Sequence, residues 1–285
     1  ALAQSARSFL YPKLATNMKR ITTLPALLFS ISLLGAVPAY AQTLIGSEYA
    51  GDAIYEIDGA TGVPTTIMVG GTTPALPGLA YNPNTGVLFA TDETFLYTVD
   101  PSNGNLTQVG DHGPQTVTSL TFDAAYNVMY AIGYDGILYS ISPATGAQTA
   151  IGALGAAPNT ILALATNSAG TVYGTGTDDD LYTVNTATGA ATLLGDITGT
   201  DGAGLTAIAF GDDDTLYGIE TITDKLVTLD VNTRVATPVG AAAIGEDIRG
   251  LAFIPPPDAD GDGVPDASDA FPNDASETVD TDGDG

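Results

Sequence analysis

The sequence contains no cysteine, no tryptophan, a single histidine and few basic residues. Without cysteine no disulfide can hold the fold together, and no lipid can be attached at an N-terminal cysteine. Thiolate nucleophiles and cysteine-ligated zinc are excluded for the same reason. A fold of this size, 285 residues with 44% hydrophobic content, must therefore rely on its own packing or on a different kind of metal.

Positive charge is scarce and unevenly placed. Seven Lys and Arg stand against 33 Asp and Glu, and four of the seven lie in the first twenty positions. Beyond residue 41 three basic residues face all 33 acids, a net charge of −30. Such a surface repels phosphate backbones and anionic headgroups, so nucleic-acid binding is excluded as a function.

The segment 18–41 has the order of a secretory signal. It begins with Met-Lys-Arg at 18–20, continues with an apolar stretch at 21–37 and ends with Ala-Tyr-Ala at 39–41. The apolar stretch is short and interrupted for a membrane span, which favours a cleaved signal over the alternative of an uncleaved anchor. We predict cleavage after residue 41 and a mature chain without a membrane span. Residues 1–17 are interpreted as an upstream, non-native extension.

No convincing amphipathic helix follows residue 41; instead a repeat of about 41 to 45 residues runs along the chain. Its clearest copies are LYTVDPSNGNLTQVG, LYSISPATGAQTAIG and LYTVNTATGAATLLG, and two looser copies are LVTLDVNTRVATPVG and IYEIDGATGVPTTIMVG. A glycine follows each tyrosine by seven positions, where a hairpin turn requires positive φ. The LVTL copy has Arg234 there instead, which predicts either strain or a different turn type.

Each repeat carries four short β-like runs, the pattern of a propeller blade. The first of the four runs reads LAY, LTF, LAT, IAF or LAF. The first copy lacks this run, and the last run, GLAFI at 250–254, has no further runs after it. The sequence therefore predicts an all-β, five-bladed β-propeller over 42–254, closed by pairing of its N- and C-terminal strands.

These repeats resemble those of extracellular bacterial β-propellers, whose unit reads roughly LAF, LYG, LYxID, TGxxTxIG. The resemblance covers nearly all of residues 43–255, whereas quinoprotein propellers match less well because their blade-docking tryptophans are missing. It implies the fold and leaves the function open, since such propellers include binding modules, surface-layer proteins and some lyases.

Two candidate sites lie in the predicted loops of one propeller face. The first is a carboxylate ring for a divalent cation or cationic ligand, centred on Asp178, Asp179 and Asp180; the alternative is solubilising surface charge. The second is His112, either a general base beside Asp111 or a solvated loop residue. The other charged residues of these loops are Glu48, Asp52, Asp92, Glu93, Asp135, Asp196, Asp201, Glu220, Asp224, Glu246, Asp247 and Arg249.

Composition changes abruptly at the proline linker 255–257, after which residues 258–285 hold nine Asp, one Glu and no basic residue. Calcium loops of twelve residues take oxygen ligands from positions 1, 3, 5, 7, 9 and 12, with glycine at 6. The stretch DADGDGVPDASD fits every position, with Gly263 at the sharp turn. The predicted Ca²⁺ ligands are Asp258, Asp260, Asp262, the carbonyl of Val264, Asp266 and Asp269.

A second start of the same pattern, DTDGDG, occupies 280–285 and adds Asp280, Asp282 and Asp284 as predicted ligands. The pair resembles thrombospondin type 3 repeats, which wrap calcium with little regular secondary structure. The family's usual cysteine is absent, and Phe271-Pro272 stands in its place. The second loop stops midway at Gly285, so we expect the repeat to be truncated there.

Together these features predict an exported, calcium-binding propeller that acts in binding or adhesion at or outside the cell surface. Its partner would be an extracellular protein or carbohydrate. Two alternatives remain open at this level: a propeller lyase or hydrolase that uses loop acids and His112, and a structural surface-layer element.

Overall fold

The computed structural model describes residues 42–49, 53–69, 74–113, 116–155, 161–241, 243–245, 247–262, 264–266 and 268–276. Within these ranges all regular secondary structure is β. No helix there has the length and apolarity needed to cross a membrane. The predicted signal segment 18–41, the extension before it and the second calcium loop at 280–285 lie outside the described residues.

Twenty strands form five four-stranded antiparallel sheets, the five blades of a β-propeller. Blade 1 contains β1 (Thr43–Glu48), β2 (Ala53–Asp58) and β3 (Pro64–Val69). Blade 2 contains β4 (Gly78–Asn82), β5 (Val87–Thr91), β6 (Phe95–Val99) and β7 (Leu106–Asp111). Blade 3 contains β8 (Val117–Phe122), β9 (Met129–Gly133), β10 (Ile137–Ile141) and β11 (Gln148–Ala153). Blade 4 contains β12 (Ile161–Thr166), β13 (Val172–Gly176), β14 (Asp180–Val184) and β15 (Ala191–Asp196). Blade 5 contains β16 (Leu205–Phe210), β17 (Leu216–Glu220), β18 (Leu226–Asp230) and β19 (Val235–Pro238), and β20 (Ile248–Ile254) follows it.

The last strand completes the first blade. β20 pairs antiparallel with β1, so that Leu44 lies opposite Phe253 and Gly46 opposite Leu251. The order in this sheet is β20-β1-β2-β3, which supplies the strand that the first repeat lacks. The prediction of five blades closed by the two ends of the chain is confirmed.

The hydrophobic core lies between neighbouring blades. β4, β8, β12, β16 and β20 are the innermost strands and contact one another around the centre. Alternate residues of a strand point to opposite faces, so each blade packs on both of its neighbours. Leu79 of β4, for example, packs with Ile45 and Ile54 of blade 1, whereas Ala80 packs with Leu120 of blade 3.

The repeated glycines are explained by a turn and by a close contact. Gly146, between β10 and β11, has φ +77° and donates its N–H to the Ser142 carbonyl at 2.8 Å. A Cβ at Gly146 would lie 2.8 Å from the carbonyl carbon of Gly110, in the preceding blade, so only glycine fits. Arg234 has φ +59° and keeps the corresponding hydrogen bond to Asp230, at 2.7 Å. Of the two outcomes expected for Arg234, the structure shows the same turn with a strained backbone.

Candidate functional site

The propeller has two faces, which we name by their connections. The loop face carries the loops between the second and third strands of each blade and the loops between blades. The hairpin face carries the turns between the first and second strands, at 83–86, 123–128, 167–171 and 211–215. From the sequence, the candidate acids and His112 are predicted to lie on the loop face.

On the loop face, a tyrosine of the third strand holds an acid of its own blade in four of the five blades. The phenol donates to the carboxylate in the pairs Tyr55–Glu48 (2.7 Å), Tyr97–Asp92 (2.7 Å), Tyr139–Asp135 (2.5 Å) and Tyr182–Asp178 (2.8 Å). Burial, followed by this hydrogen bond, raises the pKa of Tyr97 and Tyr139. These acids therefore order the loops of individual blades.

Other loop-face acids accept hydrogen bonds from hydroxyl or backbone N–H groups of adjacent loops. Asp179 accepts from the Thr200 hydroxyl at 2.7 Å and from the Gly204 N–H at 2.8 Å. Asp224 accepts from the Ile248 N–H at 3.0 Å, and burial raises the pKa of its carboxyl. Asp180 also has a raised pKa, because of burial and then of the Asp178 charge.

The described loop-face acids do not form the predicted carboxylate ring. Within those residues, only the group in the tail brings three potential metal ligands within 4.8 Å of one another. Asp52 and Glu246 lie outside the described residues. Most of the described loop-face acids bond instead to a nearby tyrosine, threonine hydroxyl or backbone N–H, and Asp247 pairs with Arg249. The buried Oδ1 of Asp180 has no hydrogen-bond partner among the described residues.

His112 is buried, with no exposed surface. Its Nε2 lies 3.0 Å from the Thr91 hydroxyl and 3.2 Å from the Asp92 carbonyl oxygen, and its backbone N–H donates to Thr94. The side chain thus fastens the end of β5 and its loop inside blade 2. It is neither the solvated residue nor the accessible general base that the sequence allowed.

On the loop face, a network that includes Arg249 and Tyr49 joins blades 1 and 2. Its Nε lies 2.7 Å from Asp247, and its guanidinium carbon lies 4.8 Å from the centre of the Tyr49 ring. The Tyr49 hydroxyl donates to Glu93 of blade 2 at 2.8 Å. This bond, together with burial, raises the pKa of Tyr49 to about 12. The network balances the charge of the arginine with acids from both sides.

The hairpin face opens into a central cavity of about 370 Å³. All five innermost strands line it, chiefly through Leu79, Leu120, Leu164, Ile208, Leu251, Phe122, Phe210 and Phe253. Tyr126, Asp123, Asp212 and Asp214 lie among the lining residues that belong to the hairpin turns. This volume is that of a small-molecule pocket. Sequence reasoning missed the cavity; its one signal was Tyr126, in a turn where blade 4 has Gly170.

The tail brings together the first acids of the predicted calcium loop. Carboxylate oxygens of Asp258, Asp260 and Asp262 lie within 4.8 Å of one another. The Oδ2 atoms of Asp260, Asp262 and Asp269 are buried and accept no hydrogen bond. Burial, and then the charges of Asp262, Asp269 and Asp258, raise the pKa of Asp260. An all-oxygen set with unused buried oxygens fits a hard divalent cation such as Ca²⁺.

The backbone of the tail shapes this loop without helix or strand over the described part of 255–276. The N–H groups of Gly261 and Val264 donate to Asp258 and Asp262 at 2.8 and 2.7 Å. Asp266 uses one carboxylate oxygen for the Ala259 N–H, at 2.7 Å. Gly263, at the predicted sharp turn, lies outside the described residues.

Comparisons with known proteins bear on the fold alone. No protein-family model matches the chain, and no curated protein matches it. A chain in the crystal structure of a nidogen/laminin complex is similar over 74% of this chain and 98% of its own length, with 10% identity and a TM-score of 0.54. Virginiamycin B lyase from Staphylococcus aureus gives 15% identity, 68% and 64% coverage and a TM-score of 0.43. A streptogramin B lyase gives 13% identity, 72% and 67% coverage and a TM-score of 0.43.

Proposed function

We propose that this protein is an exported β-propeller that binds calcium through its acidic tail and acts in binding or adhesion at or outside the cell surface. The observation that carries the proposal is the set of buried carboxylate oxygens without a donor on Asp260, Asp262 and Asp269. Buried charges of one sign are costly unless a counter-ion or hydrogen bonds compensate them. A divalent cation among these oxygens supplies that compensation.

In this proposal the first loop holds Ca²⁺ through the carboxylates of Asp258, Asp260, Asp262 and Asp269, the carbonyl of Val264 and the second oxygen of Asp266. By the same pattern Asp280, Asp282 and Asp284 begin a second loop. Extracellular calcium modules bind at about 10⁻⁴ to 10⁻³ M, which suits millimolar external calcium and not a cytosol. The proposed site and the proposed export thus belong to the same environment.

The propeller suits a binding role outside the cell. Pairing of β20 with β1 closes the ring and leaves no open sheet edge between first and last blade, which does for this cysteine-free chain what a disulfide does elsewhere. Its loop-face side chains are tied to one another, as a rigid binding surface requires. An extracellular protein or carbohydrate is the proposed partner class.

Limited proteolysis of the whole chain tests the calcium site. Calcium should slow cleavage within residues 258–276 several-fold, because binding opposes the local opening that a protease requires. Asp260→Ala should remove the protection. Asp274→Asn is the matched control, since this tail acid bonds to Ser276 outside the loop and should leave protection intact. Equal cleavage of the tail with and without calcium would refute the site.

N-terminal sequencing of the protein secreted by an expressing bacterium tests export. The mature chain should begin at Gln42, directly before β1. A change of the Ala-Tyr-Ala segment to bulky charged residues should retain the precursor in the cell. A secreted protein that still carries Lys19 and Arg20 would contradict cleavage and favour a membrane anchor.

A further inference from the structure

We propose that the cavity on the hairpin face is a binding site for a small organic ammonium compound with an apolar body. The apolar body would fill the space between the innermost strands, and the cationic group would lie at the mouth between Tyr126 and Asp214. The inference goes beyond calcium binding, because the cavity belongs to the propeller and shares no residue with the tail loop.

Two turns at the cavity mouth carry side chains where a turn favours glycine. Tyr126, Gly170 and Asp214 occupy the same place in their hairpins, since each donates its N–H to the residue three positions earlier. Their φ angles are +57°, +81° and +60°. Glycine reaches this region without strain, whereas a tyrosine there is an outlier. Tyr126 in blade 3 and Asp214 in blade 5 therefore have strained backbones, and both side chains line the cavity.

Surrounding groups hold both side chains in place. Asp214 accepts from the Ser168 N–H at 2.9 Å and from the Ser168 hydroxyl at 2.5 Å. The Tyr126 carbonyl accepts from the Asn82 side chain at 3.0 Å, and its ring centre lies 6.3 Å from that of Phe122. Tyr126 as a whole residue remains 38% exposed. Strained residues that the neighbouring structure holds in place are concentrated at functional sites, ligand sites among them.

Tyr126 and Asp214 both line the cavity, each from a turn of the hairpin face. Burial, and then the charge of Asp214, raise the pKa of the Tyr126 phenol. An aromatic ring and a carboxylate that line the same cavity are groups that attract an ammonium ion, through cation–π and ionic attraction.

The charge of the cavity selects the sign of the ligand. Asp123, Asp212 and Asp214 belong to the lining, and no Lys or Arg does. The interior is formed chiefly by leucine, isoleucine, alanine and phenylalanine side chains, and the hydroxyls of Thr121 and Thr166 bond to each other there. An anion would meet repulsion at the mouth, and a strongly hydrated ligand would lose its water without replacement. An ammonium group joined to an aliphatic or aromatic body satisfies both parts of the cavity.

Calorimetric titration of the whole chain with hexylammonium, hexanol and hexanoate tests the proposal. Chelator is added so that the outcome does not depend on the calcium loop. Hexylammonium should bind at least about tenfold more tightly than hexanol, because only the cation gains the interactions at the mouth. Hexanoate should not bind. Equal affinity for the three probes, or tighter binding of hexanoate, would overturn the proposal.

Two variants locate the binding at the mouth. Tyr126→Gly should weaken hexylammonium binding roughly tenfold while keeping or raising the melting temperature, since glycine relieves the positive φ. Asp214→Asn should weaken it similarly, because asparagine tolerates the same backbone. Tyr134→Ala and Asp111→Asn, exposed on the loop face, are the matched controls and should not change affinity. Unchanged affinity in both mouth variants would refute the site.

A short lysine-containing peptide, titrated in parallel, separates two sources of the same chemistry. Tighter binding of the peptide than of hexylammonium would identify the ligand as the side chain of a polypeptide. Tighter binding of hexylammonium would identify it as a free amine. Failure of every cationic probe in folded protein would overturn the inference and leave the calcium proposal untouched.

Discussion

At the scale of single residues, composition does not reveal the role of the third-strand tyrosines Tyr55, Tyr97, Tyr139 and Tyr182. Tyr139 and Tyr182 are buried, Tyr55 and Tyr97 are partly buried, and each donates a hydrogen bond to an acid that precedes it in its blade. Several acids of the loop face are therefore held by hydrogen bonds within their own blades, although the sequence allows them to form a ring around a cation. In blade 5 the tyrosine is replaced by Val227, and Glu220 instead accepts from the Thr223 hydroxyl.

Tyr139→Phe tests this role. It removes the donor to Asp135 and should lower the free energy of unfolding by about 1 kcal/mol. The raised folded-state pKa of Tyr139 adds a pH dependence. Its contribution is complete below the unfolded pKa of about 10 and is lost as the pH rises from there through the folded value. The variant should therefore show a shallower alkaline loss of stability.

Denaturant unfolding between neutral pH and about pH 11 measures both effects. Tyr134→Phe, an exposed tyrosine of the same blade, is the control and should match the unmodified protein at neutral pH. Equal stability of the two variants at neutral pH would show that the Asp135 bond contributes nothing.

At the scale of strands and turns, the sequence predicted the fold well because the repeat is local. The seven-residue spacing from tyrosine to glycine lies within one hairpin, so it predicts that hairpin directly. The absence of the first strand from the first copy predicts that the two ends of the chain share a blade. The cavity and the burial of His112 could not be predicted in this way. Both depend on side chains that converge from separate strands, and the proposed role of Tyr126 depends on Asp214, a cavity-lining residue of another blade.

Truncation tests the closure. A chain that ends before residue 248 loses β20, exposes the edge of β1, and should aggregate or lose cooperative unfolding. A chain that ends after Pro257 keeps β20 and removes only the acidic tail, so it should melt as the unmodified propeller does. An unchanged melting transition in the shorter chain would contradict the role of β20 in the fold.

At the scale of the whole molecule, the propeller and the acidic tail differ in how far hydrogen bonds satisfy their acidic side chains. The propeller packs through its blade interfaces, and most of its described loop acids accept hydrogen bonds from neighbouring groups. The tail concentrates acids that its own backbone satisfies only in part, since three of their buried oxygens accept no hydrogen bond. We therefore expect the order of the tail, and not the stability of the propeller, to depend on calcium.

Isothermal titration calorimetry of the whole chain with Ca²⁺ measures this dependence most directly. The account predicts calcium-specific heat with a dissociation constant of about 10⁻⁴ to 10⁻³ M. Asp260→Asn should weaken binding mildly because it keeps an oxygen, Asp260→Ala should weaken it more, and Asp274→Asn should leave it unchanged. The melting temperature of the propeller should barely move. Absence of calcium-dependent heat at about 10 mM, well above that range, would contradict the account.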